Sequence, residues 1–497
     1  MQLPDNTPKG FGQLPLCSES LSQILNNNDS CHMTLSVGEN PDLKAHLFYL
    51  DGMVSRSDIG ELIVRPLMVS PRLRSAASVT EAATVLDSGI LYFPDQRKTT
   101  DIAQVISMIH VGFCALVLDE LKTAFLFETK GFDRRGVSTP QDETVVKGSK
   151  DAFNETIRAN TATLRRKIGS PHLKMASLTL GNESKTTVVL TYLDHVADPA
   201  MVKKVQQRLE SIEIDRLLSP GTFEELFLPK PRLFPKLIYT ERPDKFCSCL
   251  TEGRVGILID GFPIGYIVPV ELNAVMQTPE GYAHSPIMAS VTRILLYLLF
   301  LLSLSLPAFY VAVVTHHPEL LPVKLALSLQ QSRIGVPFPA FLEVIFLLIA
   351  FEILIEAGMR LPKSIGQAVS IVGGLIIGDA VVSANLMSPV VIVILAVSVI
   401  AGYTMPHQDL EIAVRIWRFL LVLAAVLGGL FGFAVGWGIL LFTLADAETF
   451  DIPYLAPFAG VKKQQTQDGL LRMPIQKNKL LPLYLNPQKK HRKEKTE

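Results

Sequence analysis

Hydrophobic positions fall into two regimes along the chain. Up to about residue 285 they come in short runs interleaved with polar positions, whereas between about 290 and 445 Leu, Ile, Val, Ala and Gly dominate. In the first regime, LKAHLFYLDGMV (43–54) reads as a strand that closes on an Asp-Gly turn. Residues 57–68 have helical spacing, 89–93 (GILYF) predict a strand, and 99–110 predict a helix. Residues 112–128 predict a hairpin turning near Asp119 and Glu120, followed by a polar linker at 131–143. A second unit begins with a helix over 149–167, strands over 173–180 and 186–193, and a helix over 199–212. After Pro243 a short helix leads to two β-rich runs joined by Asp260-Gly261, a strong hairpin signal.

The second regime predicts membrane helices. Ile294–Val314 carries no charge and, as a helix, reaches roughly 31 Å, enough to cross a bilayer. Phe419–Phe442 is a second uncharged run, and Ile365–Val382 and Leu386–Tyr403 lie between them. The expected architecture is an α/β soluble N-terminal region of two small subdomains (41–135 and 136–285) behind a loose segment (1–40) rich in Asn, Ser and Pro. An all-α polytopic membrane domain (286–450) of four spans follows, then a basic tail (451–497). The KKHRKEK run at 489–495 places that tail on the cytosolic side, where it either stays solvated or rests on anionic lipid. No basic and apolar leader opens the chain, so the N-terminal region is expected inside as well.

Small and acidic residues inside the apolar region carry the candidate chemistry. Gly366, Ser370, Gly374 and Gly378 recur at every fourth position, as do Ala424, Gly428, Gly432 and Gly436. That spacing lets helix backbones approach closely, within one subunit, between subunits or around a pore. Glu352, Glu356 and Arg360 share one helix face, and Glu343 lies half a turn round. The eight apolar residues between Glu343 and Glu352 are too few to span, so 338–357 reads as a re-entrant or interfacial helix. Glu356 and Arg360 suit a local pair, while Glu343 and Glu352 have no evident partner nearby in sequence. Asp379 adjoins the first small-residue stripe, and an acid within a span is a functional candidate by default.

Charge and motif arguments exclude several classes. Lys plus Arg and Asp plus Glu both total 47, which gives no footprint for nucleic acid. Cys17, Cys31, Cys114, Cys247 and Cys249 lack metal-ligand or redox spacing and read as free thiols. GNESKT (181–186) lacks the second glycine of a phosphate loop and reads as a turn between strands. The adjacent His316 and His317 suit a helix cap or interfacial role better than a metal site. No catalytic constellation, cofactor motif or inverted repeat emerges, so neither an enzyme nor a secondary transporter is expected.

Several blocks together resemble one family. VVKGSKDAFNETIRANTATLRRKI (145–168), YTERPD (239–244), EGRVGILIDGFPIGYIVP (252–269) and the long stretch from RIGVPFPAFLEV to VVSANLMSP (333–389) are similar to A subunits of GerA-type spore germination receptors. DIPYLAPFAG (451–460) resembles the family's closing segment. The resemblance implies a subunit of a nutrient germinant receptor in the inner membrane of the dormant spore. It implies partners as well: a transporter-like B subunit, a lipoprotein C subunit and further A subunits, forming a ligand-gated cation channel. Glu343, Glu352, Glu356 and Asp379 would then line or gate the pore, with the small-residue stripes as subunit contacts. A non-conducting scaffold and the related stage V sporulation AF-type protein are the alternatives.

Overall fold

Alternating apolar positions and tight turns build the first part of the chain into two antiparallel sheets. The computed structural model describes residues 14–91, 93, 96–131, 139–140, 143–145, 147–228, 233–360, 378–459, 468–474 and 476–492. Contacts divide the chain into one unit of residues 1–230, 237–269 and 479–497, and another of 231–236 and 270–478.

In the first unit, β1 (Ser30–Ser36), β2 (Lys44–Leu50), β3 (Gln96–Thr99), β4 (Phe113–Leu118) and β5 (Thr123–Glu128) form a sheet ordered β1-β2-β4-β5-β3. A second sheet holds β6 (Leu173–Leu180), β7 (Thr186–Leu193), β8 (Ile238–Thr240), β9 (Val255–Ile259) and β10 (Gly265–Val268), ordered β6-β7-β9-β10-β8. The second sheet repeats the strand order of the first. Every pairing is antiparallel, so this is a mixed α and β unit rather than the parallel βαβ arrangement that an α/β label implies. Helix α1 (Ile102–Ile109) is capped by Asp101, whose carboxylate accepts the Ala103 N–H, and buries Ile102, Val105, Ile106 and Ile109. Helices α2 (Ile157–Lys167), α3 (Pro199–Glu210) and α4 (Pro243–Thr251) accompany the second sheet. The ring of Phe246 in α4 lies so close to β9 and β10 that a Cβ at Gly256 would sit 2.1 Å from it, and one at Gly265 2.7 Å. Both glycines are there to admit that ring.

The segment expected to be loose is partly ordered. Ser18–Ile24 is helical with Leu21 and Ile24 buried, and β1 pairs with β2 along its whole length. An edge strand needs few apolar positions, which is why SCHMTLS gives a weak signal. The expected strand at 89–93 lies instead at Gln96–Thr99, beyond Pro94, because the ladder to β5 falls on that polar edge. The helix expected over 149–167 starts at Ile157, since Asn160 donates to the Asn154 carbonyl (2.6 Å) and accepts its N–H (2.9 Å), holding that stretch extended. Arg165 of α2, only 1% exposed, grips Asp29 with two hydrogen bonds of 2.7 and 2.9 Å and donates to the Leu173 carbonyl. Residues 479–492 of the expected tail also belong to this unit, whereas its described residues before 479 belong to the helical one. Leu481 and Leu485 are buried, Arg492 meets Glu252 at 3.3 Å, and Gln488 bonds the loop at 194–197.

The second unit is helical. Helix α5 (Pro286–His316) is 31 residues long, roughly 46 Å, and carries Pro307 inside it. α6 (Ala340–Arg360), α7 (Pro389–Tyr403) and α8 (Gln408–Asp446) follow. Two helices, α5 and α8, are long and apolar enough to cross a membrane. Leu427, Phe431 and Phe442 are each more than 70% exposed, which suits lipid or a partner far better than water. The expected span at Leu386–Tyr403 is shorter, because Ser388 is extended and the helix begins at Pro389. Its 15 residues reach about 22 Å, short of a bilayer. Most of Ile365–Val382 lies outside the described residues.

The last apolar run is not one continuous span. Gly428 (φ −133°, ψ 15°) and Gly429 (φ 58°, ψ −136°) break α8. Beyond the break the chain doubles back: a Cβ at Gly432 would lie 2.0 Å from the Ala424 carbonyl oxygen, and one at Gly436 2.9 Å from Leu421 Cδ2. In a straight helix residues 424 and 432 would be about 12 Å apart. Phe419–Phe442 therefore wraps a turn, with about 14 Å and 20 Å of it on the two arms. The uncharged part of neither arm reaches the roughly 30 Å of a hydrocarbon core, although α8 as a whole is long and apolar enough.

The first sheet has a pH-sensitive element. His110, 2% exposed, donates Nδ1–H to the Ile106 carbonyl (2.8 Å), while its Nε2 is buried without a hydrogen-bond partner. Burial pushes its pKa down to about 4. The folded imidazole stays neutral where the unfolded one takes a proton, so stability is full above pH 6.5. It falls by up to about 1.4 kcal/mol per pH unit between 6.5 and 4. Thermal melts of His110→Gln across that range should show a shallower pH slope than wild type. An equal slope would remove His110 from the account.

Candidate functional site

The acids of α6 turn out to be held by guanidinium groups. Glu343 has no exposed surface: Oε1 lies 3.3 Å from Arg333 Nε, and Oε2 accepts the backbone N–H of Ser388 at 2.7 Å. Ser388 is the residue that opens α7, so this carboxylate sits at a helix N-terminus, where the backbone dipole also favours it. Glu352, half-exposed, accepts from Arg415 Nη1 of α8 at 2.6 Å, and Arg415 Nε lies 3.8 Å from Glu411. Glu356 pairs with Arg360 at 2.6 Å in the exposed i,i+4 contact that the spacing predicts, worth a few tenths of a kcal/mol. Asp379 is exposed within the helical residues 378–383.

Glu352 and Arg415 stand at the edge of a groove of about 370 Å³ between α6 and α8, lined also by Leu348, Ile349, Ile412 and Phe419. Arg418, one turn along α8, shares this lining, is 4% exposed, and reaches the Ser398 hydroxyl at 3.4 Å. Ser398 Oγ in turn donates to the Ser303 carbonyl of α5 at 2.8 Å. That carbonyl is the one Pro307 leaves unpaired, four residues on, because proline has no N–H. At the break in α8, His316 Nε2 donates to the Val426 carbonyl (3.0 Å), the cap role the sequence suggested.

The small-residue stripes divide. Gly366, Ser370 and Gly374 lie outside the described residues. Gly378 and Gly428 have open space where a Cβ would stand. Gly432 and Gly436 pack against Ala424 and Leu421 of the same chain, so both serve the α8 hairpin. GNESKT does form a turn, and its Asn182, Glu183 and Ser184 N–H groups bond the Ile214 and Asp215 carbonyls, which leaves no nest for phosphate.

Comparison with known proteins then decides the family. The model of the Bacillus/Clostridium GerA spore germination protein matches residues 19–484. The chain belongs to the GerA spore germination protein family. Spore germination protein B1 of Bacillus subtilis (strain 168) is 31% identical over 480 residues, 94% of this chain and 98% of that protein. The protein named "Uncharacterized membrane protein YfkQ" of the same strain is 35% identical over 429 residues, 86% of this chain and 83% of its own length. The crystal structure of the N-terminal domain of the A subunit of the Bacillus megaterium spore germinant receptor GerK3 is 28% identical and covers 51% of this chain and 95% of its own. Its TM-score is 0.42.

In this GerA-family chain, sequence reasoning found the acids and the Glu356–Arg360 pair but missed the partners of Glu343 and Glu352. Arg333 is ten residues from Glu343, and Arg415 is 63 from Glu352, beyond any helical spacing. Arg415 and Arg418 lie just before the uncharged run at 419–442. Two outcomes follow. Gly432→Ala forces a methyl into the Ala424 carbonyl and should cost 1–3 kcal/mol or more in detergent melts, whereas Gly428→Ala should be near neutral. Glu343→Leu takes the carboxylate from Arg333 and the acceptor from the Ser388 N–H and should cost about 3–5 kcal/mol, with Glu343→Gln milder. Equal melting of the two glycine variants would refute the hairpin contact.

Proposed function

We propose that this chain is the A subunit of a nutrient germinant receptor of the dormant spore, working in the inner membrane beside a transporter-like B subunit and a lipoprotein C subunit. Its relatives are spore germination proteins, and a role in germination follows from the family. In this reading several A subunits together form a cation path that opens when germinant binds. One observation carries it: Glu352, a half-exposed carboxylate, stands in an apolar groove beside Arg415. A charge in such surroundings is costly unless it is used. When the Arg415 bond is made the carboxylate is neutralised; when it is broken the same group attracts cations. That gives the pair two states, one of which favours conduction. The packing of 479–492 into the unit that holds both sheets supports both chain ends lying on the same side of the membrane, inside.

A second reading has its own support. Glu343, Glu352 and Glu356 each face an arginine, so the described acids of α6 present little net charge, as a non-conducting scaffold would. Cation release from spores carrying Glu352→Gln, at receptor levels checked by immunoblot, separates the two. The channel reading expects nutrient-triggered release to slow several-fold or to become spontaneous. Release at the wild-type rate would favour the scaffold.

A further inference from the structure

The β6–β7 hairpin brings together three metal-ligating side chains. β6 and β7 pair from Leu173↔Leu193 onward, and the Asp194 N–H bonds the His172 carbonyl (3.0 Å) just outside the ladder. That register sets His172 opposite Asp194, and His195 follows next in the chain. His172 Nδ1 lies 2.8 Å from Asp194 Oδ1, and His195 Nδ1 lies 3.8 Å from the same oxygen. His195 Nδ1 is a buried atom without a hydrogen-bond partner. The two imidazole rings are 4.4 Å apart, and one ligand atom from each of the three residues falls within 4.8 Å of the others.

We propose that His172, Asp194 and His195 bind a divalent transition metal ion of the zinc class. Two imidazole nitrogens and one carboxylate oxygen suit zinc, nickel or cobalt better than magnesium or calcium, which prefer oxygen alone. Metal–ligand bonds of 2.0–2.2 Å place tetrahedral donors about 3.3 Å apart, so small side-chain rotations bring these atoms to a common ion. All three side chains are roughly a third exposed, which leaves an entry path and room for water as the remaining ligand. The loop that supplies two of the ligands is held from behind. Gln488 Nε2 donates to the Asp194 and Ala197 carbonyls at 2.7 Å each, and its N–H donates to the Val196 carbonyl at 3.0 Å. Fixed main chain on both sides of His195 is the supporting shell that a ligand set needs. One group opposes the ion: Lys174 Nζ lies 3.9 Å from Asp194 Oδ2 and competes for that carboxylate.

The test uses the tag-free full chain in detergent micelles, stripped with chelator and titrated with Zn²⁺, and separately with Co²⁺ to read the d–d spectrum. One Zn²⁺ per chain should bind, Co²⁺ should give the intense bands of a four- or five-coordinate site, and Zn²⁺ should raise the melting temperature. His172→Ala and His195→Ala should each weaken binding by at least about 100-fold, since even supporting residues change affinity 10–100-fold. Lys174→Met should tighten it several-fold. Melts without metal confirm that the variants fold. Absence of a saturable site in wild type would overturn the proposal. So would zinc affinity untouched by His195→Ala, which leaves the three residues a plain His–Asp–His ion pair.

Discussion

In an apolar helical unit every backbone polar group that a helix cannot pair must find another partner, because no water is at hand to take its place. The second unit is organised around three such groups. Pro307 frees the Ser303 carbonyl, and Ser398 supplies the hydroxyl that answers it. At the glycine break in α8, His316 Nε2 donates to the Val426 carbonyl. α7 opens at Ser388, and Glu343 accepts its N–H. Each repair joins two helices that are distant in sequence. The same bonds that satisfy the backbone thus set which helices touch: α5 with α7, α5 with α8, and α6 with α7.

Charge placement follows from the same scarcity of water. A lone carboxylate would be expensive here, and a lone guanidinium almost as much, so Glu343 and Glu352 each stand beside an arginine. Their surroundings differ in a way that bears on function. Glu343 is sealed between Arg333 and a backbone N–H, as a structural lock would be. Glu352 faces an open groove and shares its arginine with Glu411, an arrangement with room for rearrangement.

Much of the first unit was legible. Strands 173–180 and 186–193 coincide with β6 and β7, the 112–128 hairpin with β4 and β5, and the Asp260-Gly261 turn with the β9–β10 connection, because period-two alternation and turn residues are local signals. What failed was non-local or weakly patterned. β1 is polar because it is an edge, β3 is placed by its ladder to β5, and residues 479–492 are ordered by packing that their basic composition does not announce. In the second unit apolar content located the helices, but composition does not distinguish a straight span from a hairpin. Ala424, Gly428, Gly432 and Gly436 read as one stripe at a helical period, yet the φ of +58° at Gly429 folds that stripe onto itself.

By itself, then, the sequence determined the division into a mixed sheet region and an apolar helical region, most strand hairpins, the acidic residues worth attention and, through its motifs, the family. These depend on local periodicity, side-chain chemistry and recognisable wording. Only the tertiary structure decided that Glu343 and Glu352 are paired, that α8 doubles back, that residues 479–492 join the sheets, and that His172, Asp194 and His195 meet. Each of those depends on which backbone and charged groups find one another across many residues, which spacing along the chain does not encode.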